Sequence, residues 1–369
     1  MTQKIEKVEV IGINMPLVGT FTSGGISKNA VKCIVVRVTS SDGMVGISSV
    51  EPSTSAKPPR TAPDLLLTLR ERVVDAVAGQ NPENIHRLRE ILTAATPGQP
   101  GAAAAVEMAC IDLASRIRGM AMHEYLGGAV QDSVQFNGWI GMLPAEEAAA
   151  EATRWLKAGF RSAKIKVGSG VEPDRERIEA VRAAVGSQMK LRIDANQQYD
   201  AETSLRLCRL VKQFDLQLFE QPAPKDDLAG LARVRREGGI PVMADESISD
   251  HPSLLAVIKA DAADFVKFGI MQAGGIVPAM RMLATAEAAG LKVVIGHGFG
   301  LDPSTLAEVM LTCTSRNVLP GLECVGPLKV TDTVATTRLD ISSGTVRLPD
   351  GPGLGISLDN AKLKQYALT

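Results

Sequence analysis

From about residue 131 onward, short apolar runs alternate with helical sequence: VQFNGWI, SAKIKV, KLRID, LQLFE, IPVMAD, DFVKF, KVVIG and finally GLE. This rhythm restricts the fold more than any other feature of the chain. Antiparallel neighbours are joined by tight turns, whereas parallel ones need a crossover of a dozen or more residues, usually a helix. Eight such units over roughly 200 residues predict parallel βαβ units closing into an α/β fold of the (β/α)8 barrel type.

The sequence before the barrel reads differently. IEKVEVIGINMPL and AVKCIVVRVTSSDGMVGISSV alternate as strands, the second a hairpin broken at Ser41-Asp42-Gly43. Residues 19–29, GTFTSGGISKN, are rich in Gly, Ser and Thr and read as a mobile loop. APDLLLTLRERVVDAVAG and GAAAAVEMACIDLASRIRG carry apolar residues at helical spacing and end in Gly79 and Gly119. The expected division is an α+β unit over 1–130, the barrel over 131–329, and a tail over 330–369 that packs back on the first unit.

Within SAKIKV, side chains alternate faces, so Lys164 and Lys166 point one way while Ala163, Ile165 and Val167 point the other. A core strand that aims two ammonium groups at one spot needs a reason. The other strand ends supply it, because barrel active sites lie at the C-terminal ends of the strands. There the chain carries Asp194 and Asn196, then Glu220, Asp245 and Glu246, Lys267, His297 and Glu323. The intervals 194 to 220, 220 to 245 and 245 to 267 are each about one βα unit, which predicts one common level on successive strands. Three carboxylates brought together repel unless matched. Ion pairs at a barrel mouth are one solution. A hard divalent cation with all-oxygen ligation is the other, and three acids in phase favour it, with Mg2+ expected and Mn2+ as the alternative.

Such a layout suits removal of a proton next to a carboxylate. A metal on the carboxylate oxygens stabilises the enediolate that forms. Lysine begins near about 10.4, and a neighbouring ammonium, a cation and desolvation all push it toward a usable base. Lys164 is therefore expected to depress Lys166, with Lys267 facing it from the opposite wall.

Composition excludes other classes. A net charge of -1 and an aromatic content of 4% argue against a nucleic-acid surface. No apolar run approaches the ~20 residues of a membrane span, and the start of the chain does not read as a signal peptide. Five scattered cysteines without a C-x-x-C pair fit reduced thiols and a cytoplasmic setting. GSG at Gly168 to Gly170 and GPGLG at Gly351 to Gly355 read as turns, since neither opens a strand–turn–helix fingerprint.

KIKVG, RIDANQQY, FEQPAPKDD, MADESI, VKFGIMQAGGI, GLECVGPL, AVEMACIDLASRIRGMAMHEYLGG and LPDGPGLGISLD, taken as an ordered set over nearly the whole chain, resemble the enolase superfamily, in its mandelate racemase/muconate lactonizing enzyme branch. The resemblance implies a modified TIM barrel under an α+β capping domain built from the N-terminal region and the tail. It implies Mg2+ on Asp194, Glu220 and Asp245, and Lys166 and Lys267 as acid/base groups on opposite faces of a small carboxylate substrate. Lys164 would tune Lys166 and help hold the substrate carboxylate. K-x-K with a strand-six lysine matches the muconate lactonizing type. A lid carrying Phe21 and Thr22 and contacts from Asn196, Glu246, His297 and Glu323 complete the expected site. A dimer or octamer is the usual assembly of the family.

Some residues depart from the pattern. His297 stands where the lactonizing type rarely has histidine, and its usual Asp partner is replaced by Lys267. Strand eight lacks the Asp-x-Asp with which dipeptide epimerases hold an ammonium, and ISSVEP follows Gly46 in place of Gly-Glu. The resemblance leaves three net reactions open: cycloisomerisation of a muconate-like acid, racemisation or epimerisation of an amino acid derivative, and dehydration of a hydroxy or sugar acid. A non-catalytic binder of metal and carboxylate is the reading of a different class.

Overall fold

The alternating sequence at the start of the chain forms β1 (Ile5–Ser23), β2 (Ile26–Ser40) and β3 (Val45–Val50), an antiparallel sheet in that order. The computed structural model describes residues 3–23, 26–52, 61–296, 298–324 and 326–368, and excludes the side chains of residues 21–23 and 26–27. The β2–β3 turn falls at Ser41-Asp42-Gly43, with Gly43 at φ +84°. The loop expected over 19–29 is corrected here: pairing continues with Phe21 opposite Lys28, Thr22 opposite Ser27 and Ser23 opposite Ile26. A register shift between Pro16 and Phe21 absorbs Gly19, and the Phe, Thr and Ile content beyond it suits a ladder better than the glycines suit a loop.

The alanine-rich stretch forms the helix Pro100–Ile117, buried along nearly its whole length. It lies so close on β3 that a Cβ at Gly46 would stand 2.2 Å from the Ala109 carbonyl oxygen. Asp112 of this helix accepts from the backbone N–H of Ile47 at 2.7 Å and of Leu354 at 2.6 Å, and pairs with Arg116 at 3.0 Å. One carboxylate thus joins the sheet, the helix and the tail. Glu107 accepts from Arg89 at 2.9 Å and from the N–H of Ile276, the first residue of the helix Ile276–Ala288, so it ties the cap helix to the barrel.

The barrel rhythm appears as β4 (Ser133–Gln135), β5 (Gly138–Ile140), β6 (Ser162–Lys166), β7 (Lys190–Asp194), β8 (Leu216–Glu220), β9 (Val242–Ala244), β10 (Phe265–Phe268) and β11 (Lys292–Ile295). Strands β5 to β11 form one parallel sheet in sequence order. The expected first strand, VQFNGWI, divides in two. Its first half, β4, pairs antiparallel with β12 (Thr345–Arg347) of the tail. The eighth position is filled by bridges instead of a regular strand. Val318 and Glu323 bridge to Val293 and Gly296 on one edge, and Leu322 bridges to Phe136 on the other. The sheet therefore curls until residues 318–323 join its two edges.

Arg192 locks that closure. Fully buried, it donates to the carbonyls of Gly321 at 2.9 Å and Pro320 at 2.6 Å, to Gln217 at 2.8 Å, and to Glu323 at 3.0 Å. Elsewhere the tail bridges β1, Val330 to Leu17 and Ala367 to Ile13. Among the described residues no helix is long and apolar enough to cross a membrane.

Candidate active site

Register sets the height of each charged group. Lys166 pairs with Asp194, and Asp194 with Glu220, so these three share one level on β6, β7 and β8. Asp245 departs from the expected common level. Glu220 pairs with Met243, which leaves Asp245 two residues further along, just beyond the end of β9. Strand stagger in a closed sheet produces such an offset. Val266 pairs with Ala244, so Lys267 is raised by the same step and faces Asp245.

The side chains converge. Lys166 donates to Asp194 at 2.5 Å and to Asn196 at 2.5 Å. Lys164 reaches Glu220 at 2.9 Å, Glu323 at 2.5 Å and Asp194 at 3.3 Å. From the other wall, four strands round, Lys267 reaches Glu220 at 2.9 Å, Asp245 at 3.0 Å and Glu323 at 3.1 Å. Asn196 donates to Glu246 at 3.1 Å, while the second oxygen of Glu246 is buried without a partner among the described residues. Nine of the twelve expected site residues thus form one connected cluster. Of the remaining three, Phe21 and Thr22 belong to β1 with side chains outside the described residues, and His297 lies outside them entirely.

Burial and charge compete at every group. Burial pushes the Asp194 carboxyl up, but Lys166 and Lys164 outweigh it and hold it at about 2. Burial together with the charges of Asp194 and Glu323 drives Glu220 well above the carboxylate range. Glu323 is held well below it because Lys164, Lys267 and Arg192 overcome its burial. Burial lowers Lys164 and Lys267, yet the surrounding acids outweigh burial and hold both above the ordinary lysine range. That direction is opposite to the one a base requires.

Among the described residues, no three acidic, histidine or cysteine groups are gathered as a bound metal ion would gather them. The ammonium groups hold the carboxylates instead. The donor set itself fits a hard cation: Asp194, Glu220 and Asp245 are all-oxygen ligands on consecutive strand ends, and Glu220 is strongly repelled by its acidic neighbours.

Backbone strain concentrates here. Asn196, Gln197 and Gln221, none of them glycine, adopt φ of +41°, +66° and +39° just past the ends of β7 and β8. Gln221 accepts from the N–H of Asp245 at 3.0 Å and of Ser247 at 3.2 Å, which fixes the turn that presents Asp245. The sequence reading passed over Gln221 and Arg192. For Arg192 the signal was available, since it precedes Asp194 by two and shares its face, as Lys164 does with Lys166.

Comparison with known proteins agrees with this architecture. Residues 9–127 match the mandelate racemase/muconate lactonizing enzyme N-terminal domain, and residues 147–362 match the enolase C-terminal domain-like family. The chain is 28% identical over 366 residues to N-succinyl-L-Arg/Lys racemase of Bacillus cereus, covering 99% of this chain and 98% of that one. It is 31% identical over 360 residues to L-Ala-D/L-Glu epimerase of Bacillus subtilis, covering 96% of each. The crystal structure of muconate lactonizing enzyme from Pseudomonas fluorescens, complexed with muconolactone, superposes with a TM-score of 0.93 at 26% identity over 100% of both chains. These relatives are isomerases, and enzymes of this family use a divalent metal ion. The chain is an enzyme of the enolase superfamily and belongs to its mandelate racemase/muconate lactonizing enzyme family.

Proposed function

We propose that this enzyme removes and returns the α-proton of a small carboxylate substrate, with Lys166 and Lys267 as the proton carriers on opposite faces, and that it racemises or epimerises an amino acid derivative. The observation that carries this reading is the approach of two lysines from opposite walls onto one acid cluster. A single base removes a proton from one face only, whereas two opposed bases serve both hands of a stereocentre. Asp194, Glu220 and Asp245 would hold the divalent ion, Mg2+ in this reading. When bound, it supplies positive charge opposite the negative charge that develops as the proton leaves. Its charge on the three acids would also free Lys166 and Lys267 from the contacts that now hold Lys267 above its ordinary range. Lys164, between Glu220 and Glu323, would remain charged and orient the substrate carboxylate. Cycloisomerisation of a muconate-like acid is the second reading. The similarity to muconate lactonizing enzyme supports it, and it needs only one of the two lysines to move a proton.

The test is α-proton exchange in D2O with Mg2+, using both enantiomers of N-acyl amino acids together with muconate. Lys166→Ala is expected to lose exchange with one enantiomer, and Lys267→Ala with the other, each by about 10²–10⁴-fold. Variants that exchange as fast as the parent would overturn the two-base assignment.

A further inference from the structure

We propose that Lys329, seated on the indole of Trp139 at the barrel mouth, binds a second carboxylate of the substrate, so that the enzyme takes dicarboxylates. The proposal rests on the α-proton reading above and narrows its substrate class.

Trp139 of β5 pairs in register with Lys164 of β6. In a parallel pair, residues in register share a face, so the indole lies on the lumen side with Lys164. Its Cη2 atom would be 3.1 Å from a Cβ at Gly141, two residues further along, so the ring leans toward the C-terminal end of the strand, where the site lies. The Lys329 ammonium stands 4.4 Å above the centroid of that ring. It arrives on the short helix Gly326–Lys329, which follows Glu323, the acid that contacts both Lys164 and Lys267.

Among the described residues Lys329 combines a seat on an aromatic face with the lack of a counter-charge. Lys28 has Glu51 at 2.9 Å, and Lys362 has Asp332 at 2.9 Å. Among the described residues no carboxylate lies within ion-pair distance of Lys329. Burial therefore acts alone and pushes its ammonium down to about 8. A π face attracts a cation but leaves its hydrogen-bond donors unused. An ammonium that is partly desolvated, unmatched, and set beside a site for one carboxylate is complementary to a second carboxylate on the same molecule.

The probes are paired: N-succinyl-alanine against N-acetyl-alanine, and muconate against sorbate. Exchange kinetics are measured in D2O, and binding is followed by the fluorescence of Trp139 in a Trp155→Phe background, Trp155 being the other tryptophan of the chain. Lys329→Met is expected to lower the preference for the dicarboxylate, as a ratio of kcat/KM, by about 10- to 100-fold, the size of one charge-assisted hydrogen bond. The change should fall on KM, and Lys329→Arg should restore most of the preference. An unchanged ratio in Lys329→Met would overturn the proposal, as would a parent enzyme that prefers the monocarboxylates. If the parent exchanges none of the probes, the α-proton reading fails. The fluorescence titration then still decides whether Lys329 discriminates two carboxylates from one.

Discussion

Two groups of acids are buried in this molecule, and they are solvated differently. At the seam between cap and barrel, Glu107 and Asp112 are fully buried and accept from backbone N–H groups together with one arginine each. At the barrel mouth, Asp194 and Glu220 are equally buried but are held mainly by lysine ammonium groups on long stems, with one backbone donor, the N–H of Asn196, on Asp194 at 2.9 Å. Burial alone does not tell the two apart. The partners do. Backbone donors cannot leave without unfolding the elements that carry them, so the seam acids are structural. An ammonium on a flexible stem can change partners, so the mouth acids suit a site where ions and substrate come and go.

Removing one acid from each group tests the contrast, and the seam should show the larger effect. Asp112→Ala strands the N–H groups of Ile47 and Leu354 and the Arg116 guanidinium, and is expected to cost about 3–5 kcal/mol of stability. Urea denaturation measures this, while the activity per folded molecule should persist. Glu220→Gln should do the reverse. Its carboxyl is repelled by Asp194 and Glu323, so neutralising it should leave Tm near or above the parent value while activity falls by at least about 100-fold. If Glu220→Gln unfolds the protein and Asp112→Ala does not, the distinction between the groups is wrong.

The smallest effect concerns pH. Burial, then the charges of Asp245 and Asp194, raise Glu246 from 4.5 to about 7. Between those values the native state holds a proton that the unfolded chain has released. The contribution of Glu246 to stability is therefore complete below about 4.5 and is lost as pH rises through about 7. Glu246→Gln should flatten the decline of Tm over that window in chelator-treated protein. A decline as steep as the parent's would remove Glu246 from the account.

Much of the site was legible because alternation in a strand is a local rule. Lys164 with Lys166, and the acids closing β7 and β8, follow from it directly. The offset of Asp245 was not legible, because equal spacing along the chain does not specify the stagger between neighbouring strands. Residues 19–29 were misread because their glycines and serines resemble a loop, whereas Phe21, Thr22 and Ser23 pair with Lys28, Ser27 and Ile26 of the same stretch. Lys329 went unnoticed because its distinction is burial against an indole with no counter-charge among the described residues, which only the packing around it reveals.

By itself the sequence determined the barrel rhythm, the α+β unit before it, and the residue types at the strand ends, since each depends on periodicities of two and 3.6 residues. The tertiary structure alone decided how the sheet closes through residues 318–323 around Arg192, and which acid meets which ammonium. Those outcomes depend on contacts between residues from 22 to 159 positions apart, and no local pattern encodes their distance or direction.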